Sequence, residues 1–289
     1  MTRFVYLTDT HVGGSASDGF MMQPRHPGYG PALLDNLRRW MADNQTNFVI
    51  HGGDMVDRGT AECIEEAVGL YSGLGVPTYL CLGNHDLTEL RSVDLWRKLH
   101  GGLFPHGDST YGIQTDDVAV FVLGVHWDTV DPPHYWDTEG PQKPLIDDGQ
   151  RCYLEAFCAD ASVPVVLVLH APVNPIPAAQ TRQTQDIHIP DPDLYAYVQD
   201  LASRYQNIRL VMGGHNHTNT VADHGRFVST TTASFTETPF ELRLVTIGDG
   251  RIEVRTVPFA DVLGQPADYN TDRAWVQGTD AQREFSLLI

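Results

Sequence analysis

Residues 48–59 read Phe-Val-Ile-His-Gly-Gly-Asp-Met-Val-Asp-Arg-Gly. An apolar run, Phe48–Ile50, stops at two glycines and delivers Asp54. That is the pattern of a short buried strand ending in a tight turn with a carboxylate at its carboxyl end. The same arrangement recurs in both directions. Upstream, Phe4–Thr8 is followed by Asp9-Thr10-His11. Downstream, Thr78–Leu82 leads into Gly83-Asn84-His85-Asp86, Val163–Leu169 into His170, and Ile208–Met212 into Gly214-His215-Asn216-His217. Helical spacing lies between these runs: Pro31 opens a stretch with Leu33, Leu34, Leu37 and Met41 on one face, and Glu62–Leu74, Ser92–Leu99, Gln150–Cys158 and Pro192–Tyr205 read as further helices. Strands alternating with helices predict an α/β domain. From Phe227 to Val257 the chain reads as strand and turn, with Gly248-Asp249-Gly250 as a hairpin.

In α/β sheets, ligands bind outside the carboxyl ends of the strands. Five strand ends carrying Asp, Asn or His are therefore expected to converge. The donors are carboxylates, one carboxamide and imidazoles, without a thiolate, which suits Mn, Fe, Zn or Co rather than a closed structural zinc site. Seven donors exceed the needs of one ion with an open position. They suffice for two ions if one carboxylate bridges, the arrangement used to clamp a phosphoryl group. In extended backbone, side chains two apart face the same way, so Asp9 and His11 should pair, as should His215 and His217. Glycines at 52, 53, 83, 213 and 214 permit close backbone approach.

The ordered set D-x-H, G-D-x-x-D, G-N-H-D, H, G-H-x-H, spanning Asp9 to His217, resembles the calcineurin-like metallophosphoesterase superfamily. The resemblance implies an α/β fold, a four-layer α/β/β/α sandwich of two mixed sheets, with a centre of two divalent or mixed-valence transition metal ions. Carried over by position, Asp9, His11 and His217 would bind the first metal and Asn84, His170 and His215 the second, with Asp54 bridging. His85 would contact the phosphate or protonate the leaving oxygen, and Asp86 would orient His85. A hydroxide held between the ions would attack phosphorus in line. The string G-D-M-V-D-R-G also resembles the Ser/Thr protein phosphatase signature, but Asp86 stands where that branch has Glu, and the late block carries two histidines. The pattern is closer to the small-molecule phosphodiesterases, of cyclic-nucleotide or glycerophosphodiester type. The alternatives are a phosphomonoesterase or protein phosphatase, and a non-catalytic scaffold of the same fold.

The chain has 289 residues, enough for one layered domain, and 42% of them are hydrophobic, which excludes a disordered chain. The expected division is a metallophosphoesterase domain over residues 1–258, with 259–289 a polar tail packing on that domain or at an oligomer interface. A formal charge of −18 opposes a nucleic-acid polymer as partner. The expected partner is a small-molecule phosphoester, with a homo-oligomer possible. No apolar run is long enough to span a bilayer and the first residues lack a leader pattern, so no membrane partner and a cytoplasmic location are expected, with Cys63, Cys81, Cys152 and Cys158 reduced. Long segments at 13–30 and 128–148, and a shorter one at 174–190, fit no element, as substrate-covering loops often do. Trp127, His134, Tyr135 and Trp136, and in the first loop Arg25 and His26, are the candidate substrate contacts. Arg58 and Arg91 are the cations near the strand-end blocks, which favours a monoanionic diester over a dianionic monoester.

Overall fold

The computed structural model describes residues 1–17, 22–99, 102–131, 135–263 and 267–289. β1 (Thr2–Leu7), β2 (Phe48–His51) and β3 (Thr78–Leu80) run parallel, joined by α1 (Gly30–Asp43) and α2 (Ala61–Tyr71). After α3 (Ser92–Leu99), β4 (Tyr111–Gln114) and β5 (Ala119–Val122) form an antiparallel pair. The short ladder of β6 (His126–Trp127) with β7 (Pro144–Leu145) closes the base of the segment between them. Then follow α4 (Asp148–Asp160), β8 (Val165–Val168), α5 (Ala178–Thr181), α6 (Pro192–Arg204) and β9 (Ile208–Gly213). The chain ends with β10 (Thr220–Asp223), β11 (Val228–Thr231), β12 (Glu241–Gly248), β13 (Arg251–Pro258), α7 (Asp280–Arg283) and β14 (Glu284–Leu288).

Among the described residues these strands make two six-stranded mixed sheets, in the orders β14-β13-β12-β1-β2-β3 and β10-β11-β9-β8-β5-β4. β2, β5 and β8 are buried along their whole length, because helices cover one face and the other sheet the second. Their continuous apolar reading follows from that double burial. β13 alternates exposed and buried residues, as a strand with one wet face does. One apolar cluster, including Phe4, Ile50, Phe121, Leu167 and Val211, runs through both sheets.

Local chemistry accounts for the joints. Asp249 and Gly250 both have positive φ, 50° and 74°, the turn whose twist matches two antiparallel strands. Asp147 and Gln150 close a reciprocal capping box on α4. The segment read as 128–148 is narrower than it looked: β6 and β7 pair across it, and the Lys143 amide donates to Asp128 Oδ1 at 2.6 Å. The tail supplies a strand its composition did not advertise, since β14 pairs with β13 from Arg251–Leu288 to Arg255–Glu284.

Candidate metal centre

β1, β2 and β3 are neighbours in the first sheet, and β8 and β9 in the second. Their carboxyl ends meet between the sheets. His217 Nε2 lies 3.1 Å from Asp9 Oδ1 and 3.4 Å from His11 Nε2. His215 Nδ1 lies 2.9 Å from Asn84 Oδ1, and His170 Nε2 lies 3.2 Å from Asp54 Oδ2. The same Asp54 oxygen is 3.9 Å from His11 Nε2, so it faces imidazoles from both groups. Potential ligand atoms of Asp9, His11 and His217, and separately of Asp54, His170 and His215, fall within 4.8 Å of one another.

The backbone differs from the extended geometry expected of the D-x-H and H-x-H blocks. Asp9, His11, Asp54, His215 and His217 all have positive φ, between 44° and 68°. A left-handed non-glycine residue costs roughly 1–2 kcal/mol. Here it is held by the surrounding fold: the Asp9 and His11 amides donate to Gly53 and Asp54 carbonyls at 2.9 and 3.0 Å, and Ser234 Oγ donates to Asp9 O at 2.6 Å. Close approach is specific at Gly83, where a Cβ would stand 2.2 Å from Asp54 Oδ1.

The electrostatics describe carboxylates confronting imidazoles out of water. Burial opposes the charge on Asp9 and Asp54, but the facing histidines overrule it and hold both well below the ordinary carboxylate range. Burial likewise opposes protonation of His170 and His217. Asp54 raises the first to about 9, and Glu237 with Asp9 raises the second to about 10. His11 and His215 answer mainly to burial and fall to about 4 and about 3. His170 Nε2 is buried and has no aligned hydrogen-bond partner although two carboxylates lie within 4 Å. An imidazole nitrogen and two carboxylates around one space, with further imidazoles beside them, fit divalent cations with N/O preference, which would displace the ring proton.

His85 is about one-third exposed, and its Nδ1 lies 3.0 Å from the Asp57 carbonyl oxygen. Asp86 does not orient it. The Asp86 carboxylate accepts from the Val56 and Gly83 amides at 3.0 and 2.8 Å, and burial with the nearby Asp54 charge pushes it up to about 8. With both carboxylate oxygens taken by those amides, Asp86 ties the β2 and β3 turns together. Trp136 is buried with its ring 5.0 Å from His85, and Trp127 is buried with its ring 5.5 Å from His215; both back the histidines. Tyr135 is half-buried, and His134 lies outside the described residues. Arg25 reaches the rim, 3.5 Å from Asp57 Oδ1 and 3.5 Å from Glu237 Oε1. His26 turns away, its ring stacked on Tyr29 at 5.4 Å and beside Phe240 at 6.1 Å.

Three residues the sequence reading gave no role stand at this centre. Glu237 is buried and its Oε1 is 2.7 Å from His217 Nδ1, the carboxylate–histidine pairing that orients metal-ligating imidazoles. Asp57 Oδ1 is 3.3 Å from His11 Nδ1. His188 lines a cleft with His215 and Trp127. Asp57 carried a signal, being the second acid of G-D-x-x-D; His188 carried only its place in the 174–190 segment, and Glu237 carried none.

Known structures share this architecture. A dimetal phosphatase from Danio rerio superposes with a TM-score of 0.71 at 13% identity, over 89% of this chain and 96% of that one. A purple acid phosphatase from yellow lupin (Lupinus luteus) seeds gives 0.60 at 12% identity over 93% of this chain, which spans only 53% of that protein. GAP50, the anchor in the inner membrane complex of Plasmodium, gives 0.60 at 13% identity over 89% and 84%. At such identities the likeness is one of fold. No curated protein matches in sequence. Residues 2–219 match the family model for calcineurin-like phosphoesterases, a span that holds every strand-end block described above, and the chain belongs to that family.

Proposed function

We propose that this chain is a cytoplasmic hydrolase of a small-molecule phosphodiester, with Asp9, His11 and His217 holding one transition-metal ion, Asn84, His170 and His215 a second, and Asp54 shared. Two such ions, when bound, lower the pKa of a water and polarise the phosphoryl oxygens. The protein's own part is to place and protonate. The Asp57 carbonyl, 3.0 Å from His85 Nδ1, accepts that N–H, so that His85 in its imidazolium form presents its second N–H, at Nε2, to the leaving oxygen and is left as the neutral ring. Glu237 fixes the ring plane of His217, and Trp136 backs His85.

The observation that carries the diester reading is the state of Arg25. The guanidinium at the rim is shared between Asp57 and Glu237, so its charge is already matched. A dianionic monoester is served by a cation in excess of the ligand set; a monoanionic diester needs less. The four thiols are free, with Cys81 and Cys158 buried, as a reducing compartment permits. No described helix is long and apolar enough to cross a membrane.

The test compares kcat/KM for matched esters on metal-loaded protein, bis-nitrophenyl against nitrophenyl phosphate and then cyclic nucleotide against nucleotide. Diesters should be preferred. A monoester preference of about tenfold or more in both pairs would make the chain a phosphomonoesterase. Bound metal with no turnover of either class would instead favour a scaffold role.

A further inference from the structure

A cleft of about 500 Å³ opens at the second ligand group, with His215 and the Trp127 indole among its lining. Two chain segments, 141–144 and 188–192, supply most of the rest. Three features distinguish it from an ordinary surface groove. Ile189 is an aliphatic side chain left 67% exposed beside a polar centre. Both segments are conformationally committed: Gln142 and His188 are left-handed, at φ 58° and 49°, and prolines at 141, 144, 190 and 192 limit what their neighbours can do. The cleft's ammonium group is matched, since Lys143 Nζ is 2.8 Å from Asp193 Oδ2 and Asp191 also lines the space.

We propose that this cleft is the subsite for an uncharged aromatic or heteroaromatic arm of the phosphoester, with Ile189 the contact that sets the preference. The assignment rests on the phosphoester reading above. The space is far larger than a methyl or glycerol arm requires and lies within the range of small-molecule sites. A rigid ring buries apolar area without the rotamer loss of a flexible chain of equal size. A carboxylate or distal phosphate on the arm would meet Asp191 and a lysine already paired. Ile189, exposed and aliphatic, offers apolar area that such a group would bury.

The experiment is equilibrium titration of the metal-loaded full chain with two non-hydrolysable monoanions, dimethylphosphinate and methyl(naphthylmethyl)phosphinate. A third probe carries a carboxylate on the naphthyl ring. The naphthyl probe should bind about tenfold tighter than dimethylphosphinate, or better. Ile189→Asp is a surface substitution, and metal per chain is measured alongside. It should shrink that preference to less than about threefold while dimethylphosphinate loses less. The carboxylated probe should bind more weakly than its neutral parent. Equal binding of the first two probes, a preference untouched by Ile189→Asp, or tighter binding of the carboxylated probe would each overturn the subsite and leave the phosphoester reading standing. Failure of both phosphinates to bind would overturn both. A monoester preference in turnover with the ring preference retained would overturn only the diester reading.

Discussion

Asp54 uses its two oxygens differently. Oδ1 accepts the His85 amide at 2.8 Å, while Oδ2 faces His170 and His11. Asp54→Asn keeps the shape and removes the charge that would offset two cations, so at least one of two metals should be lost; two metals per chain with near-normal turnover would remove Asp54 from the bridging position. His85→Gln should slow hydrolysis roughly 10²–10⁴-fold for an alkyl leaving group, and less for nitrophenolate, which leaves without a proton. An equal loss for both would reduce His85 to phosphate positioning. The imidazole–carboxylate pairs also fix the sign of a pH effect in metal-free protein. His170 at about 9 and His217 at about 10 lie above their ordinary 6.5, so their protonation stabilises the fold fully below pH 6.5 and that contribution is lost as pH rises through their folded values. Asp86, raised from 3.8 to about 8, acts in the same direction. His11, His51 and His215, lowered to about 4, 3 and 3, act only below 6.5 and cannot compensate. The Tm of chelator-stripped protein should therefore be lower at about pH 9.5 than at pH 7. An equal or higher Tm at the alkaline point would contradict the pairing of His217 with Asp9 and Glu237.

At the scale of elements, the turns after the strands do more than end them. Five residues of the ligand set are left-handed, which an isolated peptide avoids, and the β1 and β2 turns hold one another by backbone hydrogen bonds. His51 sits beneath these turns, accepting the Gly53 amide at Nδ1 and paired through Nε2 with Thr10 Oγ1 at 3.0 Å, which fixes it as neutral. A second element-level device is the start of α4. Asp147 caps the helix through the Gln150 amide at 2.7 Å and pairs with His126 Nε2 at 2.9 Å. Asp147→Ala removes both and should cost about 1 kcal/mol or slightly more, as loss of an N-cap does. Denaturant unfolding measures it. Metal content should stay as in the wild type; its loss would show that the His126 loop braces the centre and not only the helix.

Across the whole molecule, the two sheets are tied by a polar seam as well as an apolar core. Arg243 on β12 is fully buried and donates to Thr231 O on β11 at 3.0 Å, to Thr256 Oγ1 at 2.9 Å and to Gln282 O at 2.7 Å. Glu241, also buried, pairs with Arg283 at 2.6 Å and accepts from Asn219 at 2.6 Å. Sheet, sheet and tail thus share one hydrogen-bonded network. Arg243→Met keeps the stem and removes its three hydrogen bonds, and should destabilise by about 2–4 kcal/mol. A change within about 0.5 kcal/mol in denaturant unfolding would mean that the acceptors re-pair with water and that the seam does not hold the sheets together.

The donor blocks were legible because they are written locally: a β-branched run, a glycine break, then Asp, Asn or His, in an order that survives without knowledge of packing. The β12–β13 hairpin and the start of α6 were legible for the same reason, as Asp249-Gly250 and Asp191-Pro192 carry their own turn and cap chemistry. Glu237 and His188 could not be read this way. Each lies in a loop with no motif of its own, and each reaches the centre only because strands distant in sequence end at one place. The same holds for Asp9 beside His217, 3.1 Å apart across the junction of the two sheets. Asp86 and His26 show the converse, residue types apt for chemistry that packing turned toward backbone amides and an aromatic cluster. The sequence by itself determined the alternation of strands and helices, the donor types and their order. Which donors face one another, which carboxylates brace them and where a cleft opens beside them were decided by the tertiary structure alone, because sequence spacing sets where a strand ends, whereas sheet-on-sheet packing sets the distance between strand ends.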